Sequence, residues 1–163
     1  MAYTDKFKDV DDLISSLTPL IPTLPPEIQV TLAGFLSVNA VTAYELAIKG
    51  IIEDFATSKH NDFGEYVRNT LSRINGRIKT DDIKSLLKPF GRNYSINFDN
   101  ALKQKEEEIL RSDGYSILSC YANLITCRHI YVHESRITLT TQECINNYNA
   151  GKNVIDALFD TMK

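Results

Sequence analysis

Tryptophan is absent from the 163 residues, so the large core positions fall to Leu, Ile, Phe and Tyr. Seven Gly and five Pro are few, and scarce helix breakers leave room for long helices. Three of the prolines, Pro22, Pro25 and Pro26, crowd into one short stretch. No run approaches the ~18 uninterrupted apolar residues of a membrane span, so no transmembrane helix and no membrane partner are expected. Met1 to Asp12 is charged and lacks an apolar stretch, which excludes a secretory signal there. The three cysteines, Cys120, Cys127 and Cys144, are odd in number and form no CxxC pair. Reduced thiols in a cytoplasmic protein are the simplest expectation. Cys120 and Cys127 lie two helical turns apart and are expected in one apolar seam, too far apart for a disulfide.

What is present is ordinary for a globular domain: 43% hydrophobic and 24% charged residues. The length fits one domain over residues 1–163. The net charge of −3 hides an uneven map. Residues 1–65 carry 4 Lys/Arg against 10 Asp/Glu, and residues 93–163 carry 7 against 9. Residues 66–92 carry 7 against 2, a basic segment within an acidic chain. Such a segment is either a footprint for a polyanion such as RNA or a solvated helix face. Arg73, Arg77, Lys79 and Arg92 are its candidate RNA contacts. Tyr66, Phe90 and Tyr94 lie nearby and are able to stack bases, although core packing is the plainer use of Tyr66 and Phe90.

Apolar spacing predicts an all-α fold of about five to seven helices, with no strand and no internal repeat. A first helix is expected over 5–17, followed by a Pro-rich connector. A long second helix over about 27–57 is apolar nearly all round, Phe35 and Leu46 included, so it belongs at the core. Its narrow polar stripe includes Glu45, four residues before Lys49, which suits a surface ion pair better than an acid catalyst. A third helix is expected from a cap at Asn61 or Asp62 to Asn75, and a short one from about Thr80 to Leu87. A loop at 90–94 leads to a helix over 95–111. A sixth, capped by Asp113, runs to about His133, and a last one covers Thr141 to Met162.

Two of the three histidines fall in Cys127-Arg128-His129-Ile130-Tyr131-Val132-His133-Glu134. Arg128 sits in an apolar stripe with Tyr121 and Leu124, where an unpaired guanidinium is costly. It needs a partner, a wet cleft or a subunit interface. The pattern of Arg, a polar residue and then His, late in the penultimate helix of an all-helical domain, resembles the signature of HEPN ribonucleases. Arg128 and His133 match it with four residues between them, and His129 fills the polar slot. The stand-alone HEPN forms of toxin and phage-defence systems look most similar. The resemblance implies a two-fold homodimer with a composite cleft, no cofactor, and a neutralising antitoxin or defence-system partner.

Helical geometry agrees with a shared site, because five residues leave Arg128 and His133 about 140° apart on one helix. A two-fold axis at this helix end would bring both copies together. His133 is then the general base for the RNA 2′-OH, Arg128 stabilises the charged phosphorane, and His129 supports. Two alternatives use the same residues. His129 and His133, at i and i+4, have the spacing of a zinc pair that Cys127, Glu134 or Glu143 would complete. In the other, the motif only bridges subunits of a non-catalytic dimerisation or adaptor module.

Overall fold

A computed structural model describes residues 2–73, 75, 76 and 78–163. Seven α-helices are formed among them: α1 Lys8–Leu17, α2 Pro26–Lys59, α3 Asn61–Leu71, α4 Thr80–Leu87, α5 Arg92–Asp113, α6 Ile117–Glu134 and α7 Thr141–Met162. Short 3-10 turns precede α1 (Tyr3–Phe7), lie in the Pro-rich connector (Ile21–Thr23) and follow α4 (Lys88–Phe90). The fold is the expected all-α bundle, and no strand occurs among the described residues.

The 34 residues of α2 make a rod about 51 Å long. By length and composition it would reach across a membrane. Here it is the central helix: Ala33, Leu36, Ala40, Tyr44, Ile48 and Ile52 are buried, and α3, α6 and α7 pack around it. Burial is not all round, however. Phe35 and Leu46 face outward and are about half exposed, at 50% and 47%. Their apolar character is not a sign of core, because no helix among the described residues covers that side.

Three tyrosines fill the middle of the core. The Tyr44 ring stacks between Tyr121 at 5.2 Å and Tyr148 at 5.7 Å. Buried hydroxyls need acceptors, and each finds a carbonyl: Tyr44 donates to Tyr148 O at 2.6 Å, Tyr121 to Ile78 O at 2.6 Å and Tyr148 to Phe7 O at 3.3 Å. Burial is the main force raising all three phenol pKa values, so the stack stays neutral. Gly151 of α7 makes room for it, since a methyl group there would meet the Tyr44 ring at 3.0 Å and Tyr121 at 3.2 Å.

Several boundaries differ from the sequence expectation for local reasons. The cap of α3 is His60, whose Nδ1 accepts from Asp62 N. That helix ends at Leu71 rather than Asn75, because Arg73 N turns to the i−3 carbonyl of Thr70. The 90–94 segment is not a loop: Gly91 takes φ 132° and ψ 144°, and α5 starts at Arg92 directly after it. Only glycine adopts that conformation readily. Asp113 ends α5 instead of capping α6. Gly114 turns left-handed there, and Ser116 supplies the cap of α6 by accepting from Ser119 N. The start of α7 is a reciprocal capping box, with Glu143 accepting from Thr140 N at 2.7 Å and Thr140 Oγ1 accepting from Glu143 N at 3.2 Å.

Candidate active site

The motif lies on the last turns of α6. Tyr121, Leu124 and Cys127 turn into the core, and this anchors one side of the helix. The ring of Tyr131, one turn further on, lies flat over Gly34 of α2. A methyl group at position 34 would come within 2.6 Å of its ring carbons. Small residues allow such close helix crossings, so Gly34 sets how the motif-bearing end of α6 sits on α2. Ser135 then ends α6 in a left-handed conformation, φ 53°.

On this frame His129 and His133 are exposed neighbours, with ring centroids 4.6 Å apart and planes inclined by 50°. Arg128 is half-buried at the border of the core stripe. Within the described residues its guanidinium has no hydrogen bond or ion pair. It therefore stands where water, an anion or a second subunit supplies its partner. Arg128 does not reach His133 within the chain, consistent with their angular separation on the helix. Val132 beside it is 49% exposed. Phe35 follows Gly34 as Val132 follows Tyr131, so the two apolar side chains leave the same helix crossing.

Of the basic-segment candidates, the structure brings Lys79 to α6. A hollow of about 410 Å³ has Lys79, Asp81, Leu118, Ala122, Ile125 and Thr126 among its lining residues. Leu118, Ala122, Ile125 and His129 share one face of α6, spaced by three and four residues. The Lys79 hollow thus opens one helical turn before His129. The Arg73 guanidinium is exposed with no partner among the described residues. Arg92 lines a separate hollow with Lys88, Ser95 and Ile96. Arg77 lies outside the described residues.

The groups that would complete a zinc set are occupied elsewhere. Glu143 is held in the α7 cap, and Glu134 pairs with Arg136 at 3.1 Å. Cys127 is buried facing Cys144, whose thiol pKa is pushed up by its hydrogen bond with Cys127 and by burial. Among the described residues no group of three or more His, Cys, Asp or Glu is gathered as metal ligands. Cys127 meets Cys144 of α7 in the core, and Cys120, on the same face of α6, is partly buried beside Asn146 and Ala150 of α7. Glu45 is the expected partner of Lys49, at 2.8 Å, and also accepts from Gly76 N at 3.0 Å. That second bond fastens the segment between α3 and α4 to the central helix.

The fold agrees with a wider comparison: the profile of one family, RiboL-PSP-HEPN, matches residues 2–163. The chain belongs to the HEPN superfamily. No curated protein and no solved structure matches it. Membership is consistent with an RNase-type or nucleotide-related function, and within the HEPN frame the Arg128–His133 end of α6 is the candidate centre. Sequence spacing had not revealed the seat of Tyr131 on Gly34, the pairing of Lys88 with Arg92, or the exposure of Tyr66. The first had a faint signal, a glycine at position 34 within a long helix that holds one other, Gly50.

Proposed function

We propose that this HEPN protein is a metal-independent endoribonuclease acting as a homodimer, in the role of a toxin or phage-defence effector. The observation that carries the reading is Arg128: a half-buried guanidinium without a partner among the described residues, beside two exposed imidazoles. A two-fold contact through Phe35 and Val132 would cover their exposed apolar surface and set the two motifs side by side. RNA supplies its own nucleophile. The His133 imidazole takes the 2′-OH proton as general base while the O2′–P bond forms. The P–O5′ bond breaks, and the 5′-oxygen is protonated by the partner's His133 or by water. Arg128 offers its fork of donors to the extra negative charge on the phosphorane. The products are a 2′,3′-cyclic phosphate and a 5′-hydroxyl. His129 holds phosphate or positions His133. Lys79 and Arg73 guide the strand, and a neutralising protein partner would restrain the activity.

The test is cleavage of mixed RNA by pure protein, with end-group analysis and with EDTA present. His133→Ala and Arg128→Ala should each abolish cleavage and keep the helical circular dichroism spectrum. Undiminished cleavage by both variants would remove these roles. A second reading, a non-catalytic dimerisation module, is favoured by one observation. Neither imidazole of the motif has a hydrogen-bond partner to orient it among the described residues. It predicts a stable dimer that cuts nothing over a broad RNA panel.

A further inference from the structure

A second surface lies away from α6, at the other half of α2. Between α3 and α4 runs an apolar groove of about 440 Å³, with Ile52 of α2 in its floor and Phe63, Tyr66, Leu86, Pro89 and Phe90 among its walls. Its rim aromatics are not core residues: Tyr66 is 68% exposed, and Phe63 is exposed beside it. Phe90 is held from two sides, by Phe63 at 5.6 Å and by Phe55 at 5.8 Å between ring centroids. It is a fixed platform that would lose little freedom on binding.

The chain that supplies Pro89 and Phe90 to the groove supplies Lys88 and Arg92 to a neighbouring hollow of about 400 Å³. Gly91, with its positive φ, is the joint between Phe90 on one side and Arg92 on the other. Two other cations of this region are neutralised: Arg68 pairs with Glu53 at 2.7 Å, and Lys84 pairs with Asp81 at 2.8 Å. Lys88 and Arg92 are exposed and have no acidic partner among the described residues. Aromatic surface beside unpaired cations is complementary to a nucleotide, which has a π-face at one end and a phosphate at the other.

We propose that the α3–α4 groove and the Lys88–Arg92 turn together form a subsite for an unpaired nucleotide of single-stranded RNA. The base lies against Phe63, Tyr66 and Phe90, and the phosphate lies against Lys88 and Arg92. A paired base keeps its faces within the helix stack, so duplex RNA cannot enter this groove in the same way. The inference deepens the RNA reading of the protein and adds a second point of contact to the α6 motif. Ile52 in the groove floor and Gly34 under Tyr131 are 18 residues apart on α2, which is about 27 Å along its axis. That separation matches about eight stacked nucleotides at ~3.4 Å each.

The experiment is fluorescence anisotropy with a labelled single-stranded oligouridine and a blunt duplex of equal length, on the full chain carrying His133→Ala so that no cutting intervenes. Tyr66→Ala and Phe63→Ala alter exposed side chains and should leave the fold intact. Each should weaken single-strand binding by about 5- to 150-fold, the range of losing one stacking partner, and leave duplex binding unchanged. Lys88→Gln with Arg92→Gln should reduce the slope of log affinity against log salt by about 1.4. Single-strand binding that Tyr66→Ala and Phe63→Ala leave at the starting value overturns the subsite. So does an oligomeric state without RNA that changes with Tyr66→Ala, which would give the groove to a second copy of the chain. The two readings fail separately. Groove-dependent binding by a wild-type protein that cuts no RNA removes the nuclease and keeps the subsite. Cleavage with groove-independent binding does the reverse.

Discussion

Replacing Gly34 with alanine sets two effects of similar size against each other. Gly34 lies inside α2, where glycine costs about 1 kcal/mol relative to alanine. On propensity alone the variant would be more stable by about that amount. The new methyl group, however, would arrive about 2.6 Å from the Cζ and Cδ2 atoms of Tyr131, far inside van der Waals contact. The ring must tilt or α6 must lift, and such overpacking costs about 1–3 kcal/mol. Near the middle of that range the net loss is about 1 kcal/mol. For a chain of this size that lowers Tm by about 2–4 °C. The control is the same substitution in a Tyr131→Ala background. With the ring gone, alanine at position 34 should stabilise by about 1 kcal/mol, so the cycle should show a coupling of about 2 kcal/mol. Thermal or urea unfolding of the four proteins reads the energies. RNA cleavage by Gly34→Ala should fall further than its folded fraction, because Arg128 and His133 sit within a turn of Tyr131. A higher Tm in the wild-type background, or the same effect in both backgrounds, would refute the claim that this crossing is tight.

Tyr121→Phe should cost about 1–3 kcal/mol in urea unfolding, because it strands the buried carbonyl of Ile78 that now accepts at 2.6 Å. The Lys79 hollow follows Ile78 directly and should loosen with it, seen as faster amide exchange at the start of α4. The pKa of Glu143 is lowered by its hydrogen bonds from the Thr140 backbone and side chain. Its stabilisation is therefore fully present above the ordinary glutamate value of 4.5 and fades as the pH falls through the lowered folded value. Wild type should unfold at higher urea than Glu143→Gln near neutrality, and the gap should close in acid. Thr140→Ala should cost about 1 kcal/mol at the same cap. Phe35→Glu should shift sedimentation toward the monomer and reduce cleavage while keeping the far-ultraviolet helical spectrum. A dimer that persists would place the contact elsewhere.

The helices that carry most of the core were legible because their apolar spacing is dense and their ends are chemically marked. Thr140 and Glu143 around the start of α7 are an example, and the expected span of that helix agrees with the observed one. Periodicity assigns a residue to a face but not a neighbour to that face. Phe35, Leu46 and Tyr66 fit apolar stripes in the sequence and yet stand exposed, because no other helix crosses over them. The error at Asp113 has a different origin. Two helix ends meet within four residues there, and Asp, Gly and Ser all suit such a junction. At the candidate site, the string from Arg128 to His133 and the angular gap between its ends could be read directly. The approach of Lys79 to α6 and the side-by-side rings of His129 and His133 depend on how segments distant in the chain, or rotamers, settle in three dimensions.

The stack of Tyr44, Tyr121 and Tyr148 gives the molecule its own optical gauge. With no indole anywhere in the chain, near-ultraviolet dichroism comes chiefly from phenol rings, and three of them are locked against one another at the centre. A variant that keeps its helices but loses their mutual fit would keep its far-ultraviolet spectrum and lose this band. Damage to the core can thus be told apart from damage confined to the surface before any activity is assayed.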